Sequence, residues 1–180
     1  MIAVGFASFV MNVVGVNGHG HAITPVYTYA RQTPETSEIA QSMRQSSEFV
    51  DLHARVGTIA HSSYATVQLQ AYYASSDISP PPGMRWQTIV SCLLAKWHNV
   101  PHLPISTSEA SWMGLLNVQK NVWDQERVRK CGIDPGHLPE LADVSEFVLL
   151  ADESYLRRWP ELRMARFHYG IGDGAAGQLH

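Results

Sequence analysis

A short glycine-rich turn near the end of the chain holds the acidic residue best placed for chemistry. Asp173 stands between Gly172 and Gly174 in a Gly-Asp-Gly-Ala-Ala segment. Glycine has no side chain, so a substrate can come close to this carboxylate, which could then accept a proton as a general base. An aspartate in a tight turn also bonds its own backbone. From these residues alone, the role within the turn is the favoured interpretation.

Histidine is the residue type that most suggests a metal site. The chain has nine histidines; His19 and His21 are two residues apart, and His98 and His102 are four apart. Pro101 separates the second pair, so a regular helix is not expected to present both on one face. No glutamate lies between them in the pattern of a zinc protease. We therefore expect no metal site.

The first part of the chain is rich in β-branched and aromatic residues and predicts three strands. Residues 2–9 and 13–16 are expected to be buried strands joined by a turn. Asn17-Gly18 supplies a further turn signal. Residues 23–29 form the third candidate, and Pro25 places them at a sheet edge.

Apolar residues at helical spacing predict helices over residues 62–73 and 84–97. Helices over residues 34–49 and 123–130 are predicted from the residues at their ends, which are acidic in the first turn of the former and basic in the last turn of the latter. Thr33 is the expected N-cap of the first helix, with proline following in its first turn. Another short strand is predicted near residues 147–150. Strands early and helices later indicate a mixed α/β domain.

Composition limits the class of protein. The chain has 180 residues and a mass of 20.0 kDa, one domain's worth, with a net charge of −3. It lacks the basic field that grips a phosphate backbone, so we expect no nucleic-acid partner. Cys92 and Cys131 are too few for a disulfide framework, which favours a reducing, cytoplasmic setting. Cys92 lies in an apolar helical segment, typical of an inert thiol.

The apolar start of the chain raises the question of a targeting segment. Residues 1–16 are almost entirely apolar or small, as in a signal peptide. No Lys or Arg precedes Arg31, however, and no stretch reaches the 18 uncharged apolar residues of a membrane helix. We expect two strands rather than a signal peptide, and no membrane association.

Several stretches, in chain order, resemble motifs of the FGGY family of carbohydrate kinases. The most specific is residues 108–117, Ser-Glu-Ala-Ser-Trp-Met-Gly-Leu-Leu-Asn, which is similar to the family's Ala-Ser-x-Thr-Gly-Leu-Leu-Asp segment. No single piece is strong, but their order and spacing make the joint match specific. The other pieces are residues 3–9, 13–16, 23–29, 61–64, 123–124, 131–134, 138–139 and 172–176.

The resemblance implies a fold, a reaction and a site. The fold is a partial ribonuclease H-like (actin-like ATPase) domain, with a mixed sheet and flanking helices. Residues 1–180 would form part of the family's N-terminal domain, without its first phosphate-binding strands and its C-terminal ATP domain. The reaction is transfer of phosphate from ATP, with Mg²⁺, to a sugar or polyol. Asp173 would be the base, Gly172 and Gly174 its supporting turn, and the sugar contacts Met11, Asn12, Tyr29 and Asp173.

Departures from the family pattern leave a second interpretation open. Met11 stands where a polar residue, commonly His, is frequent, and Arg31, Thr33 and Gln68 replace charged residues of the family. These changes remove partners for sugar hydroxyls. The alternative is a non-catalytic sugar-binding or subunit-interaction module derived from a sugar kinase. In either case we expect the chain alone to be inactive, with a missing domain or a second copy as partner.

Overall fold

The computed structural model describes residues 2–75 and 79–177, in which short strands and helices alternate. The mixed α/β class expected from the sequence is confirmed. The strands are β1 Ala3–Val4, β2 Ala7–Ser8, β3 Val14–Val16, β4 Arg85–Gln87, β5 Ile105–Ser106, β6 Leu116–Asn117, β7 Val122–Trp123, β8 Leu141–Ala142, β9 Phe147–Leu149, β10 Arg166–His168 and β11 Ile171–Gly172.

Helices flank the strands, and two short 3₁₀ helices, at Pro135–His137 and Pro160–Met164, join neighbouring elements. Within the described ranges, no helix has both the length and the apolar character needed to cross a bilayer. The α-helices are α1 Pro34–Gln45, α2 Phe49–Val56, α3 Ala65–Ala74, α4 Ile89–Trp97, α5 Thr107–Ser111, α6 Gln125–Lys130, α7 Glu153–Arg158 and α8 Asp173–Ala176.

Two segments from opposite ends of the chain run side by side in the same direction. β1 pairs in parallel with β10, which pairs antiparallel with β9, and further along the same segments β2 pairs in parallel with β11. The expected strand over residues 2–9 is therefore two short strands. The expectation that it is buried was wrong, because Ile2 is 44% exposed and β1 lies at an edge of the described sheet.

The single helix expected over residues 84–97 was also wrong. Its first part is strand β4, which pairs antiparallel with β3 so that Trp86 lies opposite Gly15. The absence of a side chain at Gly15 leaves room for the fully buried Trp86 ring. Thr88 ends the strand and caps α4, its hydroxyl accepting a hydrogen bond from the Ser91 N–H at 3.3 Å.

Two other sequence expectations need correction. The helix expected over residues 34–49 has the predicted Thr33 cap but ends at Gln45, and α2 then ends at Gly57 with a left-handed φ of 70°. Residues 23–29 form no regular strand; their neighbourhood has only the isolated bridges Val13–Tyr27 and Val16–Ala22. Pro25 lacks the backbone N–H that a continuous ladder needs at that point.

The elements enclose two apolar clusters. Apolar burial of this kind is the main stabilising contribution in a domain of this size. The first cluster lies around α3, β4 and β6 and includes Leu69, Tyr72, Trp86, Met113 and Leu116. The second lies between α4, α7 and β10 and includes Leu94, Leu156, Ala165 and Phe167.

Candidate functional site

A cleft of about 370 Å³ opens where β2 and β11 end. The two strands are parallel, with Ser8 opposite Gly172, so the loops that follow them leave the same edge. Ligands of α/β proteins commonly bind at such carboxyl edges. This pairing brings Met11 and Asp173, from opposite ends of the chain, to one cleft. Its lining residues are Phe9, Val10, Met11, Tyr29, Gln32, His61, Ser63 and Asp173.

Tyr29 forms an exposed aromatic wall of the cleft. Its ring is 56% exposed and meets Phe9 edge-on, with the ring centroids 6.2 Å apart. The loop that carries it is held from behind by Gln68 of α3, whose Nε2 donates to the Thr28 carbonyl at 2.9 Å. Gln68 is buried and does not line the cleft. The replacement of a charged residue by Gln68, noted from the sequence, therefore concerns support of the loop.

Asn12 does not line the cleft, although the resemblance implied a sugar contact. It is buried, and its Nδ2 donates to the Phe9 carbonyl at 2.6 Å. Its Oδ1 accepts from the Ile89 N–H at 2.7 Å, at the first residue of α4. The amide thus joins the loop after β2 to the start of a helix. Met11, its neighbour, lines the cleft with a left-handed φ of 61°.

Asp173 is the first residue of α8 and is exposed to the cleft. Its Oδ1 accepts a hydrogen bond from the Gly174 N–H at 2.9 Å. This is the bond expected of an aspartate with a role in a turn. It leaves the carboxylate at the open edge of the cleft, where a substrate hydroxyl can reach it. The geometry is therefore compatible with both roles considered from the sequence.

The two glycines beside Asp173 are not equivalent. A Cβ on Gly172 would lie 2.7 Å from Cγ1 of Val10 and 3.2 Å from Nε1 of Trp112, so this glycine lets the two cleft loops approach closely. A Cβ on Gly174 would meet no atom within 4 Å. From their type alone, both glycines were expected to permit a close approach to Asp173. In the described structure, the absence of a side chain is needed for packing at Gly172, and at Gly174 a Cβ would have room.

This difference predicts opposite outcomes for two matched substitutions. We expect Gly172→Ala to lower the free energy of unfolding by about 1–3 kcal/mol, because the new methyl overlaps Val10 and must displace the loop after β2. Gly174→Ala should change it by less than about 0.5 kcal/mol. Urea unfolding of the three proteins measures both values. Equal losses for the two variants would contradict the packing described here.

Three polar residues of the cleft were not assigned a role from the sequence. They are Gln32, His61 and Ser63. The Ser63 N–H donates to Nδ1 of His61 at 3.2 Å, and the Ser63 hydroxyl lies 2.8 Å from the same nitrogen. Nδ1 is therefore an acceptor, which leaves the proton on Nε2 as a donor for a ligand. For His61 and Ser63, the available signal was their place in the segment 61–64, which also resembles the family.

A larger cleft, of about 760 Å³, lies between β3 and α4, away from Asp173. Its lining includes His19, His21, Lys96 and Cys92. Burial raises the pKa of Cys92 to about 11, so its thiol stays protonated at neutral pH. In residues 2–75 and 79–177 no group of three His, Cys, Asp or Glu side chains is arranged to hold a metal ion. The cleft at Asp173 is the smaller of the two, but its lining includes a carboxylate that could act as a general base. It is therefore the candidate site.

Comparison with solved structures places this arrangement among known folds. Gluconate kinase from Lactobacillus acidophilus superposes with a TM-score of 0.80 and 18% identity, over 97% of this chain and 35% of that chain. Xylulose kinase from Rhodospirillum rubrum gives a TM-score of 0.80 and 12% identity, over 97% and 35% of the two chains. The chain has the fold of a sugar-kinase domain.

A third sugar kinase shares the same fold. Glycerol kinase from Plasmodium falciparum, solved with ADP, gives a TM-score of 0.77 at 14% identity, over 97% of this chain and 34% of that chain. The chain thus spans about a third of the length of these kinases. No protein-family model and no curated protein matches the sequence. The resemblance found in the motifs is thus confirmed at the level of the fold.

Proposed function

We propose that this chain carries the sugar-binding cleft and the catalytic base of an ATP-dependent carbohydrate kinase. The supporting observation is that Met11, Tyr29 and Asp173, selected from the sequence, line one cleft at the edge of β2 and β11. Tyr29 offers a ring for the face of a sugar. His61 and Ser63 offer polar atoms for its hydroxyls.

The cleft fits a neutral polyhydroxy ligand better than a nucleotide. Its polar side chains are Gln32, His61, Ser63 and Asp173, and among the described residues neither Lys nor Arg lines it. A triphosphate needs cationic side chains, backbone N–H groups or a metal to neutralise its charge. We therefore assign this cleft to the sugar. ATP with its Mg²⁺ is the phosphoryl donor of the proposal, held by residues outside the cleft.

Asp173 would act on the attacking hydroxyl. Its carboxylate accepts the hydroxyl proton as the sugar oxygen bonds to the terminal phosphorus of ATP, and the bond from that phosphorus to the bridging oxygen breaks to release ADP. Products are the sugar phosphate, ADP and a proton that Asp173 later returns to water. The bond from the Gly174 N–H keeps one carboxylate oxygen oriented while this happens.

The extent of the domain is part of the proposal. We infer that residues 1–180 correspond to part of a ribonuclease H-like N-terminal domain, and that other parts of a kinase supply the nucleotide site. The match to about 35% of the length of full kinases supports this. A denaturing blot of the source cells, with an antibody against residues 112–130, tests it. We expect a band above twice 20 kDa; a band at 20 kDa would contradict it.

Sugar binding can be tested on the chain itself by calorimetric titration with D-gluconate, D-xylulose and glycerol. We expect at least one to bind with a Kd at or below about 1 mM, in the range usual for enzyme substrates. Tyr29→Ala should weaken that binding about fivefold, equivalent to about 1 kcal/mol. Met164→Ala removes a side chain that is exposed elsewhere, and should leave the Kd unchanged. A Kd for Tyr29→Ala equal to that of the native chain would contradict the role of Tyr29.

The second candidate function is a sugar-binding or subunit-interaction module without catalysis. The bond between Asp173 and the Gly174 N–H favours it, because a structural aspartate makes the same bond. Such a module would bind a sugar in the titration above. Substitution of Asp173 would then leave the rate of phosphoryl transfer to a sugar unchanged. Measurement of that rate therefore separates the two functions.

A further inference from the structure

Glu109 is a buried carboxyl that the proposed reaction does not use. It lies in α5 and is only 6% exposed, and neither of its carboxylate oxygens has a hydrogen-bond partner among the described residues. An ionised carboxylate without a partner is costly in such a place. Buried acidic residues without partners are rare in native proteins. This residue therefore calls for a functional explanation.

The Glu109 carboxyl lies against the segment that leads to Asp173. A Cβ built on Gly170 would lie 2.9–3.0 Å from its Cδ and both oxygens, so only glycine leaves room for it. Ser106, the N-cap of α5, and Ser108 within α5 also bond this segment directly. The Ser106 hydroxyl donates to the Gly170 carbonyl, and the Gly172 N–H donates to Oγ of Ser108 at 3.3 Å. The position of Asp173 thus depends on how α5 and residues 170–172 pack.

The surroundings of Glu109 favour its neutral form. Burial raises its pKa to about 7, and the nearby Thr88 hydroxyl lowers it only in part, without reaching hydrogen-bond geometry. No Lys, Arg or His among the described residues forms an ion pair with it within 4 Å. The titratable group facing it from α4 is Cys92. The pKa of the Cys92 thiol is raised to about 11, mainly by burial and to a smaller extent by the charge of Glu109. A neutral thiol gives the carboxylate no counter-charge.

We propose that Glu109 is a positioning residue for Asp173: its neutral carboxyl packs on Gly170 and holds the segment 170–173 in place, and its ionisation displaces that segment from α5. The carboxylate then lies against the Gly170 backbone with no donor to neutralise it. Hydration is the remaining way to stabilise the charge, and water can enter only if the segment moves. This inference rests on the proposed function for its consequence, a base that is correctly placed only below neutral pH.

Trp112 reports on this segment without any catalysis. Its Nε1 lies beside Gly172, and it is one of five tryptophans in the chain. Labelling with 5-fluorotryptophan gives one ¹⁹F resonance per tryptophan, and Trp112→Phe identifies the one of interest. In the native chain we expect this resonance to shift with a midpoint near pH 7. In Glu109→Gln, whose amide stays neutral, it should keep its low-pH position up to pH 8.5.

A matched control and a kinetic measurement complete the test. Glu161→Gln, at an exposed glutamate, should retain the native titration of Trp112. The same titration in Glu109→Gln as in the native chain, or none in the native chain, would overturn the proposal.

Where the protein phosphorylates a sugar, its kcat should fall by up to tenfold per pH unit above 7, with KM unchanged, and Glu109→Gln should lack this fall. The ¹⁹F readout needs neither ATP nor sugar, so absence of kinase activity alone would overturn only the proposed function.

Discussion

Asp173→Asn is expected to reduce the rate of phosphoryl transfer to a sugar by a factor of about 10²–10⁴, the usual contribution of a general base. The substitution is close to isosteric, and its side-chain oxygen can still accept the Gly174 N–H that Oδ1 of Asp173 accepts now. The turn should therefore persist while the proton acceptor is lost. The effect should fall on kcat, with the Kd of the sugar within about threefold of the native value.

A second substitution at the same position separates the base from the turn. Asp173→Ala removes both the carboxylate and the bond to Gly174, whereas Asp173→Asn removes only the charge. If the residue served only the turn, asparagine would behave like the native protein and alanine alone would impair it. Asp51→Asn, at an exposed position of α2, is the control for loss of one negative charge and should leave kcat unchanged. Transfer is measured as sugar-dependent release of ADP by the full gene product.

Local signals predicted the elements whose ends are set by their own residues. The start of α1 follows from the Thr33 cap, whose hydroxyl accepts the Thr36 N–H, and from the proline after it, because all three residues act within a single turn. α6 likewise begins at a side-chain cap, Asp124, inside the predicted range, and its last turn is basic as expected. In these places the sequence around each end contains the whole physical cause.

Elements that depend on distant partners were predicted less well. The apolar pattern around Trp86 fits a helix as well as a strand, and the pairing with Gly15 decided between them. The same limit applied to the site. Met11 and Asp173 meet only because β2 pairs with β11, and from residue types alone the turn role of Asp173 was favoured. The family resemblance supplied that missing long-range information.

Nothing in the sequence indicated that Glu109 is buried without a hydrogen-bond partner among the described residues. Because it is, we expect an unusual dependence of the free energy of unfolding on pH. In an unfolded chain its carboxyl titrates near 4.5, whereas burial raises the pKa in the folded state to about 7. Below pH 4.5 both states carry the proton and the residue has no effect. As the pH rises from 4.5 to 7, the unfolded chain releases the proton and the folded chain keeps it, so the folded state loses stability.

Removal of this titration should stabilise the protein at alkaline pH. A difference of this size corresponds to about 3 kcal/mol, an upper estimate because the folded chain can relax around the charge. We therefore expect Glu109→Gln to match the native chain near pH 4.5 and to exceed its free energy of unfolding by up to about 3 kcal/mol at pH 8. Urea unfolding at pH 4.5, 6, 7 and 8 gives the two curves, and their difference cancels the titration of all other groups.

The direction of this difference is what separates a buried, unpartnered carboxyl from an ordinary one. An acidic residue stabilised by a cation would lose stability when neutralised, so its glutamine variant would be less stable at pH 8. Glu161→Gln, at an exposed site, should follow the native curve at every pH. Parallel curves for native and Glu109→Gln would mean that Glu109 ionises normally in the folded chain. The pH-dependent placement of Asp173 would then have no cause, because that placement requires Glu109 to stay neutral up to about pH 7.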